Sequence, residues 1–199
     1  MIHPNMATML AFITTDAAVE NDALQSALRL AVKRSFNRLT VDGDTSTNDM
    51  VVIMANGEAD NTPINSSGKC PRCTADYNTF YSALEYVCIS LARKMARDGE
   101  GATKLVTVTV NNAQSEDNAE TLAKSVAASS LVKAACFGAD ANWGRVLCAL
   151  GYSGADFANV SALSSLCALF TVTVTNFVAP SPSRAILRAS EMHTYSSAE

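Results

Sequence analysis

The opening stretch, MIHPNMATML, places a small residue, Ala7, directly before a hydroxyl residue, Thr8. A threonine at a chain terminus can act as a nucleophile, because its own α-amino group, with a pKa of about 8, can take the hydroxyl proton. In an uncut chain the same hydroxyl can attack the carbonyl of Ala7, and the small side chain there leaves room for the attack. The pattern permits self-cleavage at Ala7–Thr8. It equally fits a turn at Pro4-Asn5 followed by a strand.

Histidine-dependent catalysis is disfavoured by the sequence. The chain has two histidines, His3 and His193, and each lies near an end. Nucleophilic serine or cysteine catalysis usually needs an imidazole beside the nucleophile. A nucleophile that supplies its own amine therefore fits this composition better.

The segment DGEGATK is a candidate ligand-binding loop. Glycines flank Glu100, and glycine lets the backbone approach a ligand closely, so that this carboxylate could bind a cationic amine. Neither phosphate-loop pattern, GxGxxG or GxxxxGK[ST], is present. An ordinary turn is the alternative interpretation.

The segment DGDTSTND groups three carboxylates, Asp42, Asp44 and Asp49. Counted from Asp42, the sixth and twelfth positions hold Thr47 and Ile53, whereas an EF-hand needs glycine and an acid there. The segment instead favours a turn whose short polar side chains bond neighbouring backbone amides.

The six cysteines favour packing over metal binding. Cys70 and Cys73 have CxxC spacing, but no second pair of ligands follows at the spacing of a zinc site, so an inert loop is favoured over zinc or redox chemistry. The other four lie in apolar stretches, where a free thiol behaves as a small hydrophobe; they are Cys88, Cys136, Cys148 and Cys167.

Composition indicates a globular protein without a nucleic-acid partner. The 199 residues are 48% hydrophobic and carry a net charge of −4, and the lysines and arginines are scattered rather than grouped in a basic patch. No signal peptide is visible. The stretch from Phe157 to Ser183 is uncharged and long enough to span a membrane, but it is rich in serine and threonine, so no membrane association is expected.

Hydrophobic periodicity predicts alternating helices and strands, and hence an α+β fold or a layered α/β sandwich. Asn21 or Asp22 is expected to cap the first helix. The predicted strands are 9–15, 39–41, 50–55, 105–110 and a Val/Thr-rich segment within 168–178. The predicted helices begin near 21, cover 76–95 and 119–135, and include a short one before the glycine turn at 151–154; residues 58–75 are predicted to form a loop.

Four segments in this order, MIHPNMATML, TVDGDTSTND, DGEGATK and GADANWGR, resemble the ornithine acetyltransferase family. Its members are also called glutamate N-acetyltransferases, or bifunctional arginine-biosynthesis proteins. The resemblance covers residues 1–157, and residues 158–199 form a divergent C-terminal tail. It implies an incomplete layered α/β sandwich that corresponds mostly to the family's β chain.

The resemblance also implies a reaction. A precursor cuts itself at the bond that matches Ala7–Thr8. Thr8 then takes an acetyl group from N2-acetyl-L-ornithine and passes it to L-glutamate, and some members also use acetyl-CoA as the donor. Glu100 is expected to contact the substrate, and no bound cofactor and no metal are expected.

The partner implied by the resemblance is the α chain of the same precursor, in an αβ heterodimer that assembles into a heterotetramer. The family's α chain supplies the oxyanion-hole threonines, whereas only seven residues precede Thr8 here. We therefore expect a fragment with little activity alone. A non-catalytic α/β module that pairs with a separate α-like chain is the alternative. The expected location is the cytoplasm, or the mitochondrial matrix or plastid in a eukaryote.

Overall fold

The computed structural model describes residues 9–41, 48–66, 71–99, 101–111, 113, 115–155, 170–176 and 185–187. The chain divides into two compact units, residues 1–96 and 97–199. The strands are β1 (Leu10–Thr15), β2 (Met50–Ala55), β3 (Lys104–Val110), β4 (Phe170–Asn176) and β5 (Ala185–Leu187); the helices are α1 (Asn21–Arg34), α2 (Pro71–Arg97), α3 (Glu116–Ala128), α4 (Ser130–Phe137) and α5 (Trp143–Gly151).

The first unit is built on a parallel strand pair. β1 lies beside β2 in register from Leu10↔Met50 to Thr15↔Ala55. Parallel strands need a crossover connection, and α1 lies in the segment that joins them. The strands predicted at 9–15 and 50–55 are confirmed to within one residue.

The core of this unit lies on one face of the strand pair. In β1 Ala11 and Ile13 are buried, and they pack with Ala27 and Ala31 of α1. Alanine side chains are small, so they let the helix approach the sheet closely. Leu84, Cys88 and Ala92 of α2 complete the buried cluster, and their spacing of four residues places them on one face of the helix.

Three local predictions in this unit are wrong. Leu39–Val41 is not a strand, since its apolar character serves packing: a 3₁₀ turn at Phe36–Arg38 precedes it, and Leu39 packs against the core. The N-cap of α1 is Glu20, without a side-chain bond. Its backbone N–H donates instead to the carbonyl of Ile64.

The third error concerns the loop predicted at 58–75, because α2 already begins at Pro71. Proline suits the first helical position, since its missing N–H would have no partner within the helix. The segment Cys70-Pro-Arg-Cys73 therefore runs into a helix rather than staying in a loop; Cys70 itself and the side chain of Cys73 lie outside the described part of the chain.

The second unit is an antiparallel sheet covered by helices. β4 pairs with β3 and with β5. The strand predicted at 105–110 is confirmed as β3, and three of its residues, Val106, Val108 and Val110, pack against a cluster that includes Leu150 and Val172. β4 also confirms the Val/Thr strand within 168–178, a segment of the predicted divergent tail.

The helix predicted at 119–135 is two helices, because Ser129 interrupts it. Ser129 adopts an extended conformation, with φ −64° and ψ 118°, and its side chain accepts a hydrogen bond from the N–H of Val132. A serine that caps a new helix start thereby ends the preceding one. The short helix before the glycine turn is confirmed as α5. Among the described helices, none is long and apolar enough to cross a membrane.

Candidate active site

The residues predicted to carry chemistry lie beside, not within, the described ranges. Ala7, Thr8 and Glu100 are outside them, as are both histidines. Thr8 belongs to the first unit by sequence and Glu100 to the second. The described neighbours of Thr8 in the first unit, and those of Glu100 in the second, show separately how the fold supports each residue.

The start of β1 is held by its backbone. The N–H of Met9 donates to Oδ1 of Asp49 at 2.9 Å, and the carbonyl of Met9 accepts from the N–H of Met50 at 2.7 Å. The Met9 side chain is buried in the core of the unit. The residue that directly follows the predicted nucleophile is thus fixed by two hydrogen bonds and by packing.

This geometry gives Asp49, the last residue of DGDTSTND, a role that the sequence did not predict. The sequence predicted a turn whose polar side chains bond nearby amides, but Asp49 bonds an amide 40 residues away. Asp42 and Asp44 lie outside the described ranges. Within those ranges, no group of three His, Cys, Asp or Glu residues is placed to hold a metal ion. Asp49 therefore serves as an anchor for β1.

The described residues of DGEGATK lead into an anchored strand. The carbonyl of Gly99 accepts from the N–H of Ala102 at 2.9 Å, and Gly101 has φ +71°, a conformation that favours glycine. Lys104, the first residue of β3, donates through Nζ to the carbonyls of Cys136 at 2.7 Å and Phe137 at 2.6 Å. The segment after Glu100 is consequently tied to the end of α4.

GADANWGR builds the corner between α4 and α5. Oδ1 of Asn142 accepts from the N–H of Arg145 at 3.1 Å, which caps α5. The Asn142 side-chain amide donates to Asp140 at 3.0 Å, and the Arg145 guanidinium donates to the carbonyl of Leu131 at 3.1 Å. Ala139 has φ +56°, which is uncommon for a residue other than glycine. The described contacts of this motif are structural.

The described cysteines divide by burial. Burial raises the pKa of the Cys88 thiol, against an opposing hydrogen bond with Ser35, and burial also raises the pKa of Cys136. These two behave as the small hydrophobes that the sequence predicted. Cys148 does not, because it is exposed on α5. A thiol with a raised pKa is a poor nucleophile at neutral pH, so the two buried cysteines are unsuited to catalysis.

Sequence reasoning missed three anchoring side chains: Asp49, Lys104 and Asn142. Each bonds a backbone group, and two of them act across more than 30 residues of chain. The only signal available for them was membership of a quoted motif, which did not distinguish a structural role from a chemical one.

Comparison with known proteins identifies the family. The ArgJ family model matches residues 1–193. The arginine biosynthesis bifunctional protein ArgJ of Listeria monocytogenes serotype 4b is 57% identical over 158 residues, and that of Symbiobacterium thermophilum is 60% identical over 157 residues; each alignment covers 79% of this chain and 38% of the relative. The chain belongs to the ArgJ family, and it spans less than two fifths of these curated relatives.

A solved relative confirms the fold class. The crystal structure of ArgJ from Bacillus halodurans superimposes with a TM-score of 0.68 at 48% identity, over 75% of this chain and 67% of that one. The predicted mixed α/β fold of this family is therefore confirmed. The family model reaches beyond residue 157, whereas the alignments with the curated relatives cover 154–158 residues. The boundary predicted at 157 and the roles predicted for Ala7, Thr8 and Glu100 stay predictions.

Proposed function

We propose that this chain provides the nucleophile-bearing part of an enzyme that transfers acetyl from N2-acetyl-L-ornithine to L-glutamate. Membership of the ArgJ family, and the names of relatives that place them in arginine biosynthesis, support this reaction. The structural observation that supports this role most is at the start of β1, where the backbone of Met9, the residue bonded to Thr8, forms hydrogen bonds with Asp49 and Met50. A nucleophile must be positioned within a fraction of an ångström to react efficiently.

The reaction proceeds in two balanced steps. The Thr8 hydroxyl oxygen attacks the acetyl carbonyl of acetylornithine, the carbon–nitrogen amide bond breaks, and the Thr8 α-amine relays the hydroxyl proton to the departing ornithine amine. The amine of glutamate then attacks the resulting ester, the carbon–oxygen bond breaks, and the proton returns to the Thr8 oxygen. A covalent ester divides one difficult transfer into two easier ones.

Exposure of the α-amine requires cleavage of Ala7–Thr8. The same hydroxyl attacks the carbonyl of Ala7, the carbon–nitrogen bond between Ala7 and Thr8 breaks, and the hydroxyl proton passes to the released Thr8 amine. Water then hydrolyses the resulting ester, which leaves Ala7 as a free carboxylate and Thr8 as a new amino terminus. Glu100 is assigned to the cationic amine of the substrate, since a carboxylate pairs strongly with an ammonium group. Acetyl-CoA is assigned as an additional acetyl donor, with no bound cofactor.

The proposed partner is an α chain from the same precursor, in an αβ heterodimer that assembles into a heterotetramer. An exposed apolar face supports a partner: Leu10 and Phe12 of β1 are 56% and 59% exposed, and Met50 and Met54 of β2 are 42% and 51% exposed. Strand alternation places all four on the face opposite the core. Parallel sheets are normally covered on both faces, so this face is suited to a second layer. We further propose a cytoplasmic location, as expected for a biosynthetic enzyme whose relatives are bacterial.

Co-expression tests this function. The 199-residue chain is produced with the part of the Listeria relative that precedes its matching region, and the products are analysed by intact mass. The expected species begins at Thr8 and gains one acetyl group on exposure to N-acetylornithine. Thr8→Val should abolish both cleavage and acetylation, Thr8→Ser should retain them in part, and Thr79→Val provides a matched control at an exposed position of α2.

An intact Met1 terminus without an adduct would instead support the non-catalytic module. The same experiment addresses the partner, because the two polypeptides should co-purify through the exposed face. Phe12→Glu places a charge on that face without touching the core, and it should weaken co-purification strongly while leaving the fold of the 199-residue chain intact.

A further inference from the structure

We propose that Asp49 is a positioning residue for the Thr8 nucleophile, and this inference rests on the function proposed above. Its carboxylate accepts the N–H of Met9 at 2.9 Å, and the next residue, Met50, donates to the carbonyl of the same Met9 at 2.7 Å. Two consecutive residues of one segment therefore hold both polar groups of the Met9 backbone.

The Asp49 bond extends the strand pairing by one residue. The parallel ladder begins at Leu10↔Met50, so Met9 lies just outside it. A side-chain oxygen supplies the acceptor that the neighbouring strand does not provide at this point. Because Asp49 is partly buried and immediately precedes β2, its carboxylate is placed by the strand that β1 pairs with.

Covalent geometry passes this constraint to Thr8. The nitrogen of Met9 is bonded to the carbonyl carbon of Thr8, and the peptide group that joins them is planar. The direction of the Met9 N–H therefore determines the plane that contains the Thr8 Cα, from which both the α-amine and the hydroxyl-bearing side chain branch. Without the Asp49 acceptor this plane can rotate, which moves the attacking oxygen relative to a bound acetyl group.

The burial of Met9 makes the constraint effective. Its side chain packs in the cluster that contains Ala11 and Ile13 of β1, so the residue cannot follow a displaced neighbour. Packing fixes the position of Met9, and Asp49 fixes the orientation of its amide. These two tasks are separable, because a substitution at Asp49 leaves the buried side chain in place.

The test compares three variants in the co-expressed assembly. Asp49→Ala removes the acceptor, Asp49→Asn retains an Oδ1 acceptor, and Asn61→Ala is the matched control. Oδ1 of Asn61 accepts the N–H of Ala18 at 2.8 Å, so it holds the backbone of the same unit beyond the other end of β1. The measurements are the rate of Ala7–Thr8 cleavage, kcat and KM for acetyl transfer, and hydrogen exchange of the Met9 amide in the 199-residue chain.

We expect Asp49→Ala to lower the cleavage rate and kcat by about ten- to a hundredfold, with KM changed less than about twofold, since misplacement of a reacting atom by an ångström can cost a hundredfold in rate. Protection of the Met9 amide should fall in the same variant. Asp49→Asn should retain cleavage and kcat within about threefold. Asn61→Ala should retain both, once corrected for the folded fraction.

Three outcomes overturn the inference. If the wild-type assembly is active and the Asp49→Ala variant is equally active, the positioning role of Asp49 is wrong but the proposed function stands. The same holds if the Asp49→Asn variant folds but is as impaired as Asp49→Ala. A wild-type assembly that neither cleaves nor transfers acetyl overturns the proposed function and this inference with it. If Asp49→Ala does not fold, Asp49→Asn decides: retained kcat supports positioning through the hydrogen bond, and lost kcat with an intact fold refutes it.

Discussion

Replacement of Lys104 by methionine tests whether the second unit depends on the anchor at the start of β3. The ammonium group donates to the carbonyls of Cys136 and Phe137, the last two residues of α4. Terminal helix carbonyls carry partial negative charge, so the lysine adds a charged donor to both carbonyls and opposes the helix dipole. The Cys136 carbonyl also accepts from the N–H of Ala139 at 3.2 Å. Methionine keeps a similar apolar stem and removes the charge and all three donors.

The expected cost is about 2 kcal/mol of unfolding free energy. A hydrogen bond to a charged group contributes roughly 1.5–3 kcal/mol, and a favourable charge at a helix end about 0.3–1 kcal/mol. Lys104 is only partly buried, so water replaces much of the lost bonding and the total falls at the lower end. For a chain of this length unfolding in one transition, about 2 kcal/mol lowers Tm by about 4–8 °C.

Urea and thermal unfolding of the 199-residue chain measure this loss, with Lys124→Met as the matched control. Lys124 pairs with Glu120 at 2.7 Å on the surface of α3, as an i,i+4 ion pair. Such pairs contribute about 0.3–0.5 kcal/mol, so the control should lower Tm by no more than about 2 °C. If Lys104→Met costs no more than Lys124→Met, the anchoring role assigned to Lys104 is wrong.

Four further predictions concern core packing, helix capping, thiol accessibility and the pH dependence of stability. Leu150 lies in the core of the second unit and is 1% exposed, so Leu150→Ala should lower the free energy of unfolding, measured with urea, by about 2–5 kcal/mol. A loss below about 1 kcal/mol would contradict the buried position of Leu150. Ser129→Ala should cost about 1 kcal/mol through loss of the α4 cap, whereas the exposed Ser130→Ala should cost less than half of that. Iodoacetamide should modify exposed Cys148 before Cys88, as site-resolved mass spectrometry can show. Because the folded state raises the pKa of Cys88, it binds that proton more tightly than the unfolded chain, so stability should fall as the pH rises through the ordinary thiol pKa; an unchanged stability difference between wild type and Cys88→Ala across that range would refute this.

Hydrophobic periodicity predicted those helices and strands that bury one face against a core. The strand predicted at 105–110 and the helix predicted at 76–95 each bury one face, as their apolar spacing requires. Predictions failed where a single backbone conformation decides the outcome. Ser129 lies in an alanine-rich run with a helical pattern, yet its extended backbone divides that run into two helices.

The sequence also did not predict which segments pair in a sheet or which side chains bond distant backbone groups. The apolar residues at 39–41 have the composition of a strand, but whether an extended segment joins a sheet depends on what lies beside it. The bond from Met9 to Asp49 and those from Lys104 to the end of α4 join residues 32 to 40 positions apart. No periodicity within one element encodes contacts of this kind, so only the folded chain identifies these side chains as anchors.

The anchors explain why residues that stabilise a fold and residues that perform chemistry share the same short motifs. Asp49 holds the residue after the proposed nucleophile, and Lys104 holds the strand that begins four residues after Glu100. A reacting group on a loosely held segment would lose the entropic advantage of a fixed geometry, so the support must lie close to it along the chain or in space. A motif match therefore locates a region where chemistry and its support coincide. Separating the two requires the contacts, and a side chain whose described bonds all go to backbone groups, such as Lys104, is assigned to support.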